Sequence, residues 1–316
     1  MKVAIVGAGA LGCTYAAHLA EVAEVVLVVR ASERAPRRVV LERVGSAGPP
    51  RVLEAPAIET SVPADADVVL LAVRVDQVDP AQLRAIAASG PPDRVIVALT
   101  PMLPELRARV VEALGPLLVD AMPGVAAYAP KPPSGGELCV RYWTPKSAPT
   151  ILEEHPDDPA RGAKVRRLAD ALARSGMPVR VSRKVHEENQ ATTIAMFPLL
   201  LAIAAAGSVE RLLADRALLK LALAATKETR AIAKTVGELA AFASILLSFA
   251  GPLTLRAGMK IVHARAPEAV TFLEQHFGRK LREQNRVMFE AIAHLGEARR
   301  LEVSSLRALA AQAGIS

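Results

Sequence analysis

Short apolar runs recur through the first hundred residues, at 2–6, 25–29, 67–73 and 94–99. Runs of this length without polar alternation are typical of parallel strands buried on both faces. Helical periodicity follows the first run and returns at 75–88 and 103–114, and shorter β-like pieces lie at 39–41 and 51–53. This alternation predicts an α/β fold with a doubly wound, Rossmann-type parallel sheet.

The pattern changes near residue 117. Short β-like segments at 117–120, 124–129, 137–143 and 148–152 are separated by Pro and Gly turns, which predicts antiparallel strands appended to the sheet. A helix over 159–175 and a last strand over 178–182 follow. Beyond Val185 the apolar residues keep a helical period, with interruptions at Gly207, Gly237, Gly251, Pro267, Gly296 and Ser304. We therefore expect a sheet domain over 1–182 and an all-helical domain over 183–316.

The turn after the first strand carries a dinucleotide fingerprint, Gly7-Ala8-Gly9-Ala10-Leu11-Gly12. Gly7 permits a tight turn, Gly9 lets the backbone approach a diphosphate, and Gly12 lets the next helix pack closely. Free amides at the helix N-terminus would bind the diphosphate. The alternative is a glycine-rich turn without a ligand. The strand before the motif and the helix after it favour a nucleotide site.

An arginine, Arg30, follows the second strand, where NAD-preferring sites usually place an acidic residue. A guanidinium there can bind the 2′-phosphate of NADP in a forked geometry. The sequence therefore favours NADP(H) over NAD(H). The alternative is a solvated basic loop, since further arginines follow at Arg34, Arg37 and Arg38.

Composition limits the kinds of ligand, metal site and cellular location that the sequence allows. The net charge of +7 is dispersed among acids without interleaved aromatic residues, so we expect small anionic ligands rather than nucleic acid. Cys13 and Cys139 have no metal-ligand spacing and are expected to be free thiols of a reducing cytoplasm. The histidines are scattered, so no metal site is expected. The longest apolar stretch, 193–207, is shorter than a bilayer span, which predicts a buried helix and no membrane association.

With this arrangement the chain resembles the ketopantoate reductase (2-dehydropantoate 2-reductase) family, whose second domain is similar to that of 6-phosphogluconate dehydrogenase. The resemblance includes 66–77, a strand running into a turn that ends at Gln77, and Gly278-Arg279 before a helix. It implies NADPH-dependent reduction of a 2-oxo acid to a 2-hydroxy acid, and a homodimer. Arg74 stands where the family has a lysine, and Thr100 begins the segment where the family has Gln-Asn-Gly. Both are expected near the cofactor.

The family's catalytic lysine, followed at four-residue intervals by two asparagines, has no counterpart here. One register places Asn189, Thr193 and Phe197 at these positions, and an ungapped register places Thr192, Met196 and Leu200 there. No lysine or arginine lies between Lys184 and Arg211. Because a general acid contributes roughly 10²- to 10⁴-fold to such reactions, this difference bears on turnover itself. Asn189 and Thr193 lie one helical turn apart and are the candidate catalytic residues, although both also suit a helix entry.

The resemblance also implies a serine and glutamate twelve positions apart that bind substrate, and Thr271 and Glu283 have this separation. Alternatively, Glu283 is a solvated acid paired with Lys280 or Arg286. Three functions therefore stay open. One is an NADP-dependent oxidoreductase acting on a small 2-oxo acid other than ketopantoate. Another is an NADP-binding protein without reductase turnover, such as a sensor or assembly partner. A third, an opine- or glycerol-phosphate-type dehydrogenase, would require a basic pocket or a catalytic histidine in the second domain.

Overall fold

The fold is that of a computed structural model, which describes residues 1–30, 35–45, 48–144, 149–248, 251–252, 254–258, 270, 274 and 282–315. Contacts divide the chain into two compact units. Unit 1 comprises Met1–Pro101 and Leu106–His186, and unit 2 comprises Met102–Glu105 and Glu187–Ser316. All the strands within the described residues belong to unit 1.

These strands are β1 Lys2–Val6, β2 Glu24–Val28, β3 Arg38–Arg43, β4 Arg51–Glu54, β5 Ala57–Glu59, β6 Val68–Leu71, β7 Val95–Ala98, β8 Leu118–Met122, β9 Ala126–Tyr128, β10 Glu137–Trp143, β11 Thr150–Glu153 and β12 Val179–Ser182. The helices are α1 Ala10–Leu19, α2 Pro80–Ala88, α3 Pro104–Leu114, α4 Pro159–Arg174, α5 Val185–Ala206, α6 Val209–Ala214, α7 Arg216–Ala233, α8 Ala241–Ser248, α9 Arg282–Ala298 and α10 Ser304–Gln312. The predicted α/β class, with a helical C-terminal half, is confirmed.

The main sheet of unit 1 has eight strands in the order β12-β11-β8-β7-β6-β1-β2-β5. The six strands from β8 to β5 are parallel, and β11 runs antiparallel to β8. Its central strands are the wholly apolar runs of the sequence, and they are buried on both faces as expected. Ala57–Glu59, which no sequence pattern indicated, forms the edge strand β5.

The predicted antiparallel extension is wrong in part. β8 pairs parallel with β7, because α3 provides a crossover long enough for parallel pairing. β9 and β10 leave the main sheet and form a second sheet, in the order β4-β3-β10-β9, where β10 runs parallel to β3. Among the described residues, β11 and β12 form the antiparallel extension of the main sheet.

Two predicted helical segments also differ from the structure. The segment 75–88 is broken into a short 3₁₀ turn, Val75–Gln77, and α2, because Pro80 restricts the preceding residue to extended backbone. Gly296 lies inside α9 rather than ending a helix. A Cβ there would lie 2.5 Å from Val303 and 2.8 Å from Ile232, so glycine allows this close packing within unit 2.

A buried arginine holds the β6–β7 side of the main sheet. Arg94 is 1% exposed, and its guanidinium donates hydrogen bonds to the carbonyls of Pro63, Ala64, Ala66 and Ile86. A Cβ at Gly90 would lie 1.8 Å from the guanidinium carbon, so glycine makes room for it. The many carbonyl acceptors explain how a charged group is tolerated in the core.

In unit 2, α7 contacts α6, α9 and α10. The carboxylate of Glu228 on α7 accepts hydrogen bonds from the amides of Ser305 and Leu306, each at 2.9 Å, and so caps the N-terminus of α10. α5 has 22 residues, more than the apolar stretch 193–207 indicated. By length and composition it passes as a candidate membrane span, and 61% of its most apolar window is buried, as in the core helix of a soluble protein.

Candidate functional site

The turn between β1 and α1 requires glycine at two positions. Gly7 has φ +105°, and a Cβ there would lie 2.8 Å from the carbonyl oxygen of Ala72. A Cβ at Gly12 would lie 1.9 Å from the carbonyl oxygen of Gly7. Both glycines therefore let the helix and the neighbouring strand approach the turn closely, as the fingerprint requires.

Gly9 differs from these two, because a Cβ at this position would meet no atom within 4 Å. It is the exposed N-cap of α1 and offers no side chain to the helix. Within the described residues, no acceptor is found for the first-turn amides of Ala10, Leu11 and Gly12. Free amides, the helix dipole and open space in front of Gly9 together fit a diphosphate. The loop formed by residues 7–12 thus fits a dinucleotide cofactor.

The other predicted cofactor residues lie at the same edge of the sheet. Arg30 is exposed, two residues beyond the end of β2. Arg74 follows β6, and its guanidinium forms a fork on the carboxylate of Asp76, with nitrogen–oxygen distances of 3.1 and 2.8 Å. Thr100 follows β7, is buried, and donates its hydroxyl to the carbonyl of Val73. These residues therefore follow the carboxyl ends of parallel strands, where ligands bind in such sheets.

Asn189 and Thr193 come together on α5. The Thr193 hydroxyl donates to Asn189 Oδ1 at 3.4 Å, Asn189 is buried, and Thr193 is half-buried. Thr192, from the alternative register, instead accepts a hydrogen bond from the Ala240 amide at 2.9 Å. The two predicted catalytic residues therefore contact each other on one side of α5.

The predicted substrate residues are only partly described. Thr271 lies outside the described residues. Glu283 is 57% exposed in its side chain, and Arg286 donates to both of its carboxylate oxygens. Arg286 was one of the two partners considered for it, and a substrate hydroxyl would have to compete with this guanidinium.

Sequence reasoning missed a polar cluster in unit 1, formed by Arg107 on α3, Asp120 on β8, Glu153 on β11 and His186 in the first turn of α5. Arg107 donates twice to Asp120, at 3.1 and 2.8 Å. His186 Nδ1 lies 2.8 Å from Glu153 Oε1, and the Asp120 amide donates to Glu153 Oε2 at 3.3 Å. One atom from each of Asp120, Glu153 and His186 lies within 4.8 Å of the others. The only signal in the sequence was an acidic residue within or next to each of two apolar strands.

The cluster shifts the protonation of its members. Burial raises the pKa of Asp120 despite the hydrogen bonds from Arg107. Burial also opposes ionisation of Glu153, but the hydrogen bond and charge of His186 outweigh it and keep the pKa of that carboxyl below its ordinary value. The same hydrogen bond raises the pKa of His186 against the effect of its own partial burial. Arg107 and protonated His186 thus balance the two carboxylates.

A second histidine adjoins the cluster. His155 Nε2 is buried and lies 4.0 Å from Glu153 Oε2, while its Nδ1 is 3.3 Å from Arg161 Nη1. Burial lowers the pKa of His155, and the charge of Arg161 adds to this effect. His155 is therefore the neutral member of the group, and His186 the one that favours a proton.

Comparison with known proteins gives a family match for part of the chain. A model of the family "Ketopantoate reductase PanE/ApbA" matches residues 3–100, the part of the chain that contains the glycine loop, Arg30, Arg74 and Thr100. No curated protein matches the chain in sequence.

Solved structures are similar over the full length. A PanE/ApbA family ketopantoate reductase from Ralstonia eutropha JMP134 is 20% identical, with a TM-score of 0.70 over 100% of this chain and 98% of that one. A 2-dehydropantoate 2-reductase from Geobacter metallireducens GS-15 is 17% identical, with a TM-score of 0.70 over 99% of both chains. D-mandelate dehydrogenase in a ternary structure with NADH and anilino(oxo)acetate is 16% identical, with a TM-score of 0.68 over 99% of this chain and 97% of that one. Residues 3–100 therefore match the model of the ketopantoate reductase PanE/ApbA family, and the whole chain has the fold of the solved ketopantoate reductase structures.

Proposed function

We propose that this chain is an NADP-dependent oxidoreductase that reduces a small 2-oxo acid, other than ketopantoate, to a 2-hydroxy acid. The observation that carries the proposal is the glycine loop, which presents free amides and open space in front of Gly9. The family match over this loop and the NADH in the structurally similar D-mandelate dehydrogenase support a nicotinamide cofactor. That neighbour and the ketopantoate reductases support a 2-oxo acid as substrate.

The choice of NADP over NAD rests on Arg30. It is exposed just beyond β2, where a guanidinium can bind the 2′-phosphate. Arg74 adds a second positive charge at the same edge, although it shares that charge with Asp76.

The proposed roles of the remaining residues follow from their chemistry. When bound, the reduced nicotinamide supplies the hydride. Asn189 and Thr193 hydrogen-bond the substrate carbonyl oxygen, and Thr271 and Glu283 bind a polar group of the substrate. Because Asn189, Thr193 and Phe197 stand where the family has its lysine and two asparagines, we expect a substrate other than ketopantoate. By analogy with the ketopantoate reductase from Staphylococcus aureus that is described as dimeric, we also propose a homodimer, and the cytoplasmic location remains a prediction.

A second candidate is an NADP-binding protein without turnover. One observation favours it: α5, described in full from Val185 to Ala206, contains no lysine or arginine. Turnover separates the two candidates, since both require the glycine loop to bind the cofactor.

The cofactor part of the proposal is tested by calorimetry with NADPH and NADH on the wild type and on Arg30→Asp. We expect Arg30→Asp to weaken NADPH binding by about 1.5–3 kcal/mol, the scale of a hydrogen bond to a charged group, and to leave NADH binding unchanged. Arg211→Asp on α6 is the matched control for a lost surface charge. Equal losses for NADPH and NADH would show that Arg30 does not select the 2′-phosphate.

The reaction is tested by mixing protein and NADPH with ketopantoate, pyruvate, 2-oxoisovalerate and phenylglyoxylate. We expect oxidation of NADPH by at least one 2-oxo acid other than ketopantoate. Tight NADPH binding without oxidation by any of them would support the second candidate instead.

A further inference from the structure

Reduction of a ketone leaves a negative charge on oxygen, so the proposed reaction needs a proton donor. α5 carries the proposed carbonyl-binding residues Asn189 and Thr193, and its only ionisable side chains are those of His186, Glu187 and Glu188. Free carboxyl groups are ionised at neutral pH and are poor donors. His186 is therefore the group on this helix whose chemistry suits the task.

The geometry around His186 leaves one ring nitrogen available. Its Nδ1 donates to Glu153 Oε1 at 2.8 Å, which orients the ring. Within the part of the chain that the structure describes, no partner is found for Nε2, and the side chain is 29% exposed. A histidine held at one nitrogen by a carboxylate can exchange a proton at the other, as in the dyads of many acid–base enzymes.

The position of this pair in unit 1 is set by the sheet. Strand register aligns Val6, Leu71, Ala98 and Asp120 in one row across β1, β6, β7 and β8. Leu152 of β11 pairs with Ala121, so Glu153 lies beside Asp120 in the same row. Val6 is the last residue before the glycine loop. Glu153 thus lies in the same row as the start of that loop, and His186 is hydrogen-bonded to Glu153. Four inter-strand spacings, or roughly 19 Å across the sheet, separate Glu153 from Val6.

The spacing of α5 adds a second constraint. His186, Asn189 and Thr193 are three and four residues apart, so they lie along one side of the helix. Asn189 and Thr193 already share a hydrogen bond along this side. His186 therefore lies on the same side of α5 as the two residues proposed to bind the carbonyl oxygen.

We infer that His186, oriented by Glu153, is the proton donor of the reduction. This inference rests on the proposed function. The proton on Nε2 passes to the substrate oxygen as that oxygen gains the electron pair of the former C=O π bond. His186 is left neutral, with its Nδ1 proton still bonded to Glu153, and it recovers a proton from solvent through its exposed side.

The charged groups that face His186 determine the pH dependence. Glu153 on β11 and Asp120 on β8 favour the imidazolium, Arg107 on α3 opposes it, and His155 beside Glu153 stays neutral. The net effect raises the pKa of His186 above its ordinary value. The rate should therefore be highest with His186 protonated and fall as the pH rises through that pKa.

The test compares His186→Gln with the control His294→Gln, whose side chain is 73% exposed on α9 in unit 2. We expect His186→Gln to lower kcat/KM by roughly 10²- to 10⁴-fold and to abolish the fall of rate with pH, with NADPH affinity unchanged. Glu153→Gln keeps an oxygen acceptor but loses the charge, so the fall should move to lower pH. His294→Gln should behave as the wild type.

Imidazole ¹⁵N NMR of the cofactor-free protein supplies a readout independent of activity. We expect His186 to titrate above the ordinary range of an imidazole, because Glu153 raises its pKa, and to lose this shift in Glu153→Gln. Wild-type turnover that survives in His186→Gln with the same pH profile would overturn the inference alone. So would a His186 titration that Glu153→Gln leaves unchanged. Failure of the wild-type protein to oxidise NADPH with any of the 2-oxo acids would overturn the proposed function. That outcome differs from both of the results that would overturn the role of His186.

Discussion

Two glycines of the loop can be used to separate packing from cofactor binding. In Gly12→Ala the new Cβ would lie 1.9 Å from the carbonyl oxygen of Gly7 and 3.3 Å from the Ala72 Cβ. Real Cβ contacts essentially never fall below 3.0 Å, so the helix or the loop must move by more than an ångström. Overpacking of this kind costs about 1–3 kcal/mol, whereas alanine in place of glycine inside a helix returns about 1 kcal/mol. A contact this short belongs at the upper end of that cost, so we expect a net loss of about 2 kcal/mol in unfolding free energy, together with loss of NADPH binding.

Gly9→Ala is the matched substitution, because its Cβ meets no atom within 4 Å and its φ of −78° suits alanine. The unfolding free energy should therefore change by no more than about 0.5 kcal/mol. The methyl group, however, occupies the space through which a diphosphate would approach the amides. We expect NADPH affinity to fall at least about tenfold, or about 1.4 kcal/mol.

Urea unfolding and calorimetry with NADPH, performed on both variants and the wild type, check these values. The reasoning requires that Gly9→Ala lose binding without losing stability and that Gly12→Ala lose both. Wild-type affinity in Gly9→Ala would refute the loop as the diphosphate site. Wild-type stability and affinity in Gly12→Ala would refute the close packing of α1 on the loop.

Three further predictions concern stability. Arg94→Met should lower the unfolding free energy in urea by at least about 3 kcal/mol, because several buried carbonyls lose their donor; a loss below 1 kcal/mol would contradict this. Burial lowers the pKa of His18 below its ordinary 6.5, so stability should decline as the pH falls below that value and the unfolded chain binds the proton. Thermal unfolding measured against pH should show a shallower decline in His18→Gln than in the wild type. An unaltered slope would argue against the role of His18. Glu228→Ala should lower the unfolding free energy by about 0.5–2 kcal/mol, because the cap on α10 is lost. Glu210→Ala on α6 is the control, and equal effects of the two substitutions would contradict the prediction.

Local patterns predicted the parallel sheet and its glycine loop well. The central strands could be predicted because they are buried on both faces and therefore wholly apolar. Gly7 and Gly12 could be predicted because a close approach, and at Gly7 also a positive φ, excludes other residues there. Gly9 meets no such constraint from the chain itself. Asn189 and Thr193 could be placed together because helical spacing alone fixes their separation.

Long-range pairing accounts for what sequence reasoning missed. The second sheet depends on parallel pairing of β3 with β10, segments about a hundred residues apart, which apolar pattern alone does not specify. Asp120 lies 33 residues before Glu153, and Glu153 lies 33 residues before His186. The three meet only through the β8–β11 register and the start of α5. Arg94 is a similar case, since a charge at the start of a strand suggests exposure, and only the surrounding carbonyls show why it is buried.

The central claim is that the chain passes a hydride from a bound nicotinamide to a 2-oxo acid. Single-turnover stopped-flow on the wild-type protein, loaded with NADPH and mixed in turn with pyruvate, 2-oxoisovalerate, phenylglyoxylate and ketopantoate, follows this transfer directly. We predict loss of the reduced nicotinamide absorbance with one of the first three and formation of the matching 2-hydroxy acid. Protein that is saturated with NADPH yet shows no absorbance loss with any of them would contradict the claim.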